Sequence, residues 1–153
     1  MPPSPKNIVE RYLDEGHVGD HWGSQGSGIL VSDETRVLLL HRSPFVMMPG
    51  TWGIPGGAVP IDENGHPKDI FRSALDEATE EMGRIPSPGH VTDKKVFQDG
   101  SFKYTTFVWT VSPPVLDRFK PRLNWEHDDW TVMPLKEALS MRLHPGVRWF
   151  LSR

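Results

Sequence analysis

The chain has 153 residues, of which 37% are hydrophobic and 24% charged, and it carries a formal net charge of −3. That length fits one domain with a core of its own, the composition is that of an ordinary globular protein, and the slightly acidic balance excludes a global basic field for gripping a nucleic-acid backbone. Cysteine is absent, which excludes disulfides, zinc–thiolate centres and cysteine nucleophiles.

The opening Met1-Pro2-Pro3-Ser4-Pro5-Lys6 lacks the apolar core of a signal peptide, and its proline content makes residues 1–6 an expected flexible tail. Asn7 to Asp14 is patterned as a short amphipathic helix, with Ile8, Val9, Tyr12 and Leu13 on one side. Gly28 to Val31 and Arg36 to Leu40 read as two strands joined by the polar turn Ser32-Asp33-Glu34, and their unbroken apolar character predicts burial on both faces. Pro49 to Gly57 is so rich in Gly and Pro that it reads as irregular backbone. Pro67 to Met82 is the strongest predicted helix, with Pro67 at its first position and Gly83 as its stop. Pro86 and Pro88 prevent it from resuming.

Val91 to Gln98 and Phe102 to Val111 form an expected antiparallel pair around Asp99-Gly100, terminated by Pro113-Pro114. Trp130 to Val132 reads as a last short strand, with closing helices over Pro134 to Met141 and Pro145 to Leu151. Apolar runs such as Val37 to Leu40 and Phe45 to Met48 are far too short to span a bilayer. The expectation is a single α/β domain over residues 1–153, a sheet packed between helices, with a soluble cytoplasmic protein as the default.

On a helical wheel of Pro67 to Gly83, Ile70, Phe71, Ala74, Leu75, Ala78 and Met82 make one apolar stripe. Glu77, Glu80 and Glu81 share another face at spacings i, i+3 and i+4. Such like-charge pairs cost roughly 0.2–0.5 kcal/mol, and acids in the last turn oppose the helix dipole by roughly 0.3–1 kcal/mol each. One reading is a solvated acidic face that tolerates these penalties. The other is a divalent cation that resolves them, since hard cations take oxygen ligands and clustered carboxylates supply them. Gly56-Gly57 upstream favours the cation, because glycine lets backbone carbonyls approach closely.

These residues resemble the Nudix hydrolase superfamily. Its signature runs Gly, five residues, Glu, seven residues, then Arg-Glu-apolar-any-Glu-Glu-any-Gly-apolar. Gly57 and Glu63 match its first part, and Glu77, Ala78, Glu80, Glu81 and Gly83 match its second. Trp52 to Gly57 is similar to the family's approach to this box, and Leu39-Leu40-His41-Arg42 to its preceding strand. There are two main departures. Asn64 to Leu75 places twelve residues where the pattern has seven, which reads as a longer loop that leaves the role of Glu63 open. Asp76 stands where the family has Arg, removing a cation that orients the carboxylates. Arg72 has the spacing to pair with Asp76, and Arg84 is expected near the carboxylate face although it takes an apolar position of the pattern.

The resemblance implies a Nudix-type α/β/α sandwich with a mixed β-sheet and a metal-dependent hydrolase that cleaves a phosphoanhydride bond in a nucleoside diphosphate linked to another moiety. It implies Mg²⁺ or Mn²⁺ held by Glu77, Glu80, Glu81 and the Gly56 carbonyl, with Glu77, Glu81 and Glu126 as the catalytic acids. Glu77 stands equally as ligand or general base. Glu126, in the acidic stretch before the last strand, is a candidate ligand or base against a plain loop acid, and Arg42 is a candidate phosphate contact against a surface arginine. His127 is expected on the surface or in packing. The strand positions of Phe102, Tyr104, Phe107 and Trp109 leave their facing open, with core packing the expectation for each and base stacking for one or two. The partner is a small nucleotide, with an RNA 5′ end among the compatible substrates and no membrane; oligomeric state is unreadable. The alternative, motivated by Asp76, is a catalytically inactive Nudix-fold module that binds nucleotides. An isoprenoid diphosphate isomerase is set aside for want of Cys, and the coenzyme A branch because its second Arg is missing.

Overall fold

The structure, a computed structural model, describes residues 25–153; the helix expected over Asn7 to Asp14 lies outside them. Strands β1 (Gln25–Ser32) and β2 (Arg36–Arg42) form the centre. They occur where the apolar runs predict, and the polar turn between them is built on Asp33, whose Oδ1 accepts the backbone N–H groups of Arg36 at 2.7 Å and Thr35 at 3.2 Å. Alternation of side chains across the sheet sends Ile29, Val31, Leu38 and Leu40 into one core and Leu30, Val37 and Leu39 into the other. Burial on both faces is therefore confirmed. Each such fully buried aliphatic side chain contributes about 1.5–3 kcal/mol.

Helix α1 (Ile70–Met82) covers the first face with Ala74, Ala78 and Met82, all fully buried. It starts three residues later than the sequence suggests. Asp69, rather than Pro67, ends the loop, because its side chain accepts the Arg72 N–H at 2.7 Å and so satisfies a free donor of the first turn. Pro67 instead bridges to Ile61 and closes a compact turn in which Asp62 accepts the N–H groups of Asn64 and His66. That turn holds the extra residues of the box, and Glu63 is exposed on it. Gly83 stops the helix as expected, at φ 82° with its N–H on the Thr79 carbonyl.

The Gly/Pro stretch is not wholly irregular. It contains β3 (Trp52–Gly53), paired with β2, and β4 (Gly56–Ala58), paired with β1. Ladders this short need only backbone groups, so composition hides them. β5 (Gly89–Asp99) and β6 (Phe102–Val111) form the predicted hairpin, closed through Gly100 at φ 60°. β6 runs parallel to β1 from Gln25↔Lys103 to Ser32↔Thr110, which makes the sheet mixed. Pro113-Pro114 ends β6 but also opens α2 (Pro113–Arg118), since proline suits the first helical positions.

β7 (His127–Pro134) pairs with β2 and is longer than the expected Trp130 to Val132. It absorbs Pro134, which leaves the first closing helix as only α3 (Leu135–Ala138). Helix α4 (Pro145–Leu151) has the predicted bounds. The principal strand order is β3-β2-β1-β6-β5, with β4 on β1 and β7 on β2. Ala138, Leu143, Val147 and Phe150 cover the second face, completing the α/β/α layering. No described helix is long and apolar enough to cross a membrane.

Candidate active site

Glu81 falls on the buried stripe of α1 rather than on its acidic face, three residues after Ala78 and one before Met82. It is 2% exposed. Its Oε2 accepts the Gly56 N–H at 3.2 Å, which ties the end of α1 to β4. One turn earlier, the Glu77 carboxyl lies on the face of Gly57, where an added Cβ would stand 2.9 Å from its carbon; only glycine leaves that room. The third acid arrives on a loop. Asn124 Oδ1 accepts the Glu126 N–H at 3.0 Å, and Asn124 Nδ2 donates to Glu126 Oε2 at 3.2 Å. Ser43, just past β2, docks this loop by donating its N–H to the Glu126 carbonyl and its hydroxyl to the Trp125 carbonyl.

Glu77 and Glu81 are both raised above the ordinary carboxylate range. Burial lifts the Glu77 carboxyl first, then the charges of Glu80 and Glu126, while a hydrogen bond with Glu81 pulls it back. Burial pushes Glu81 well above the ordinary carboxylate range, reinforced by Glu126 and Glu77 and opposed by the Gly56 N–H and the Arg42 charge. Without further positive charge, the pair cannot comfortably ionise together.

Glu80 is exposed and takes part only through its charge on Glu77. Among the described residues, no group of three or more His, Asp or Glu side chains is arranged to hold a metal ion by itself. The donor set is nonetheless all oxygen and short of cations, and Mg²⁺ ordinarily completes its shell with waters and substrate phosphates rather than with protein alone. The residues present fit a hard divalent ion.

His127 is not at the surface. It is 4% exposed, neither ring nitrogen has a hydrogen-bond partner among the described residues, and Nδ1 lies 3.8 Å from Glu81 Oε1. Burial, with help from the Arg42 charge, lowers its pKa to about 3, so it is a neutral neighbour of the acids. Asp76 turns away from them, with Lys68 Nζ at 2.7 Å and Arg72 Nε at 3.4 Å. Arg72 thus pairs as expected, and Lys68 is the stronger partner the sequence did not signal. Arg84 is not at the carboxylate face; its guanidinium lies 5.5 Å over the Phe119 ring. The cation that bears on Glu81 is Arg42, whose Nε donates to the Met47 carbonyl at 2.7 Å.

Arg42, Gly56 and Gly57 also form one wall of a cleft that opens on the α4 side of the sheet. The parity of β6 settles the aromatic residues: Phe102 and Tyr104 face the cleft, whereas Phe107 and Trp109 face α1 and meet Phe71. Tyr104 lies across Gly26, Gly28 and Gly56, with its hydroxyl against the Gly56 position. The alternation Gly26-x-Gly28 on a strand was the available signal for that close approach. His144, also in the wall, had no comparable signal. Its Nδ1 accepts the Gly146 N–H at 3.0 Å and caps α4.

The profile of the NUDIX domain matches residues 24–152. The chain belongs to the Nudix family. As a Nudix hydrolase it acts on pyrophosphate bonds. Over 94 residues it is 35% identical to the "Nucleoside triphosphate pyrophosphatase/Nudix hydrolase fusion protein" of Bifidobacterium longum, a match that takes in 56% of this chain but 18% of that longer protein. It is 29% identical over 168 aligned positions to "Putative 8-oxo-dGTP diphosphatase 3" of Mycobacterium tuberculosis, covering 95% of this chain and 72% of that one. The crystal structure of a Nudix hydrolase from M. smegmatis, RenU, superposes with a TM-score of 0.67 at 22% identity, over 88% of this chain and 92% of that one. This last likeness shows the Nudix α/β/α fold.

Proposed function

We propose that this Nudix hydrolase is a metal-dependent nucleotide pyrophosphohydrolase, cleaving the phosphoanhydride of a nucleoside diphosphate linked to another moiety. The observation that carries this reading is Glu81: a carboxylate at a core position, under the charges of Glu77 and Glu126, and bonded to Gly56, which lines the cleft. The name of the mycobacterial relative, "Putative 8-oxo-dGTP diphosphatase 3", supports counting nucleoside triphosphates among the candidate substrates.

Glu77, Glu80 and Glu81, with the Gly56 carbonyl, would hold Mg²⁺ or Mn²⁺. Such an ion offsets the charge of the diphosphate and lowers the pKa of a bound water. The rest falls to the chain itself. Arg42 binds a phosphate oxygen from the cleft side. Glu126, held by Asn124 and Ser43, takes the proton of the attacking water, and Glu77 is the other acid placed for that role. Gly57 keeps the Glu77 carboxyl against the backbone, and the Gly56 N–H fixes the direction of Glu81. Asp76, committed to Lys68 and Arg72, gives no reason to read the site as inactive.

The test is a nucleotide library assayed with Mg²⁺, Mn²⁺ and EDTA, reading phosphate release with and without an added phosphatase. Metal-dependent turnover that vanishes in the folded Glu80→Gln/Glu81→Gln variant is the expected result. Unchanged turnover in that variant, or binding without product for every nucleotide and metal, overturns the proposal.

A further inference from the structure

A group attached to the diphosphate enters the cleft beside Gly56 and Gly57, and the walls there are unequal in chemistry. Five rings line it: Phe97, Phe102, Tyr104, Trp149 and Phe150. They come from β5, β6 and α4. Phe97 and Trp149 meet edge-on at 5.3 Å, and the Arg153 guanidinium lies 4.5 Å over the Trp149 ring.

The ionisable or hydroxyl-bearing side chains among the described lining residues are Arg42, Tyr104, Thr106 and His144, with no Asn, Gln, Asp or Glu. Each is poorly placed to choose a base. Arg42 gives Nε to the Met47 carbonyl and sets its charge against Glu81. The Tyr104 hydroxyl is packed on the Gly28 and Gly56 backbone. His144 accepts the Gly146 N–H on Nδ1, which commits that nitrogen to the cap of α4. The Thr106 hydroxyl donates or accepts as its partner requires. Telling bases apart takes paired donors and acceptors in fixed positions, which carboxamides and carboxylates supply.

We infer that this cleft takes a nucleobase by stacking and shape without reading its hydrogen-bonding edge, which makes the enzyme tolerant of base identity, oxidised guanine included. The inference rests on the nucleotide reading above. An apolar pocket separates similar ligands by up to about 10²-fold, whereas one built to hydrogen-bond its ligand reaches about 10⁴–10⁵-fold.

The experiment compares kcat/KM for dATP, dGTP, 8-oxo-dGTP, dCTP and dTTP on the full chain, in parallel with Trp149→Ala, Trp149→Phe and Thr106→Val. The expected spread across the bases is under about 100-fold. Trp149→Ala is expected to raise KM by roughly 5- to 150-fold for every base alike, as loss of one stacking platform predicts, while Trp149→Phe restores most of it. Thr106→Val should leave the ranking of bases intact. A preference above about 10⁴-fold for one base, or a Thr106→Val effect confined to one base, overturns the inference. If no nucleotide is turned over, it is the hydrolase reading that fails. Calorimetric titration with the deoxynucleoside monophosphates then decides the cleft by the same criterion, with comparable affinities supporting it and one strongly preferred base, or no binding at all, overturning it.

Discussion

Asp33, in the turn after β1, and Glu81, in the last turn of α1, are both carboxylates with almost no exposure. Asp33 accepts two backbone N–H groups on Oδ1, and on Oδ2 the Arg36 side chain through Nε at 2.8 Å and Nη2 at 2.7 Å. Burial raises its pKa, but the Arg36 and Thr35 donors outweigh that and leave it lowered. Arg36 extends the pairing to Asp117 at 2.8 Å. Glu81 has the Gly56 N–H at 3.2 Å and two acids for neighbours, and its pKa is pushed up. One fold thus contains a fully partnered buried acid and a conflicted one. Conflict of this kind is expected at functional sites, where a missing ligand is to complete the set.

The largest effect that sharpens this contrast is at Glu81. Glu81→Gln is expected to lower kcat by about 10³-fold or more and yet to stabilise the metal-free protein. Because the folded pKa of Glu81 is raised, its contribution to stability is fully present below the ordinary carboxylate pKa and is lost as pH rises toward the folded value. Melting curves in EDTA should therefore show the advantage of the variant widening as pH increases; an advantage that narrows would contradict the assigned direction. The opposite signature belongs to Asp33. Asp33→Asn leaves the turn without its charge and is expected to cost about 2 kcal/mol, or roughly 4–8 °C in Tm. Activity at saturating substrate should stay within about twofold, since the side-chain hydrogen bonds of Asp33 run to Thr35 and Arg36 and, among the described residues, share no partner with the acids. Loss of activity in a folded Asp33→Asn would break the division between the two regions.

A smaller effect isolates the histidines around the site. His127 and His144 are both held near a pKa of about 3, by burial first and the Arg42 charge second. The unfolded chain titrates them near the ordinary value of 6.5, so between these values it binds more protons than the folded chain. Stability is then full above about pH 6.5 and falls as pH drops toward 3, by about 1.4 kcal/mol per pH unit for each histidine. Glu81 works in the opposite direction over part of that range, so the measurement is cleanest in Glu81→Gln with EDTA present. Adding His144→Asn keeps a side-chain oxygen for the Gly146 N–H and should remove one of the two slopes. Denaturant titrations across that pH range read it directly.

Legibility in the sequence followed the range of the interactions. The strands β1 and β2, the hairpin around Gly100 and the helix α4 depend on local pattern and turn chemistry, and their residues announce them. The two- and three-residue strands β3 and β4 are made by backbone pairing alone, which no side-chain pattern records. At the site, spacing places Glu77, Glu80 and Glu81 near one another, but only the packing of Ala78 and Met82 against the sheet shows that Glu81 goes inward while Glu80 stays out. Tyr104 meets Gly28 and Gly56 through a parallel pairing of β1 and β6, strands far apart in the chain. His127 and His144 were hidden for the same reason: their burial is decided by distant partners.

Asp76 is the place where reading by family pattern and reading by structure disagree most, and it carries the smallest expected effect. By pattern, an acid in place of Arg both removes an orienting cation and adds repulsion. By structure, the Lys68 hydrogen bond lowers the Asp76 carboxyl, Arg72 adds to this, and its charge is the weakest of the five influences on Glu77. Arg42 already supplies a positive charge from the other side of Glu81. Asp76→Asn is therefore expected to change kcat by about twofold or less, within the range of a screened surface pair. Asp76→Arg should do little more, because Lys68 and Arg72 would repel the new guanidinium away from their own position. A rise of about tenfold or more in Asp76→Arg, worth about 1.4 kcal/mol of barrier, would show that the acids are still short of an orienting cation and that Arg42 does not fill that place.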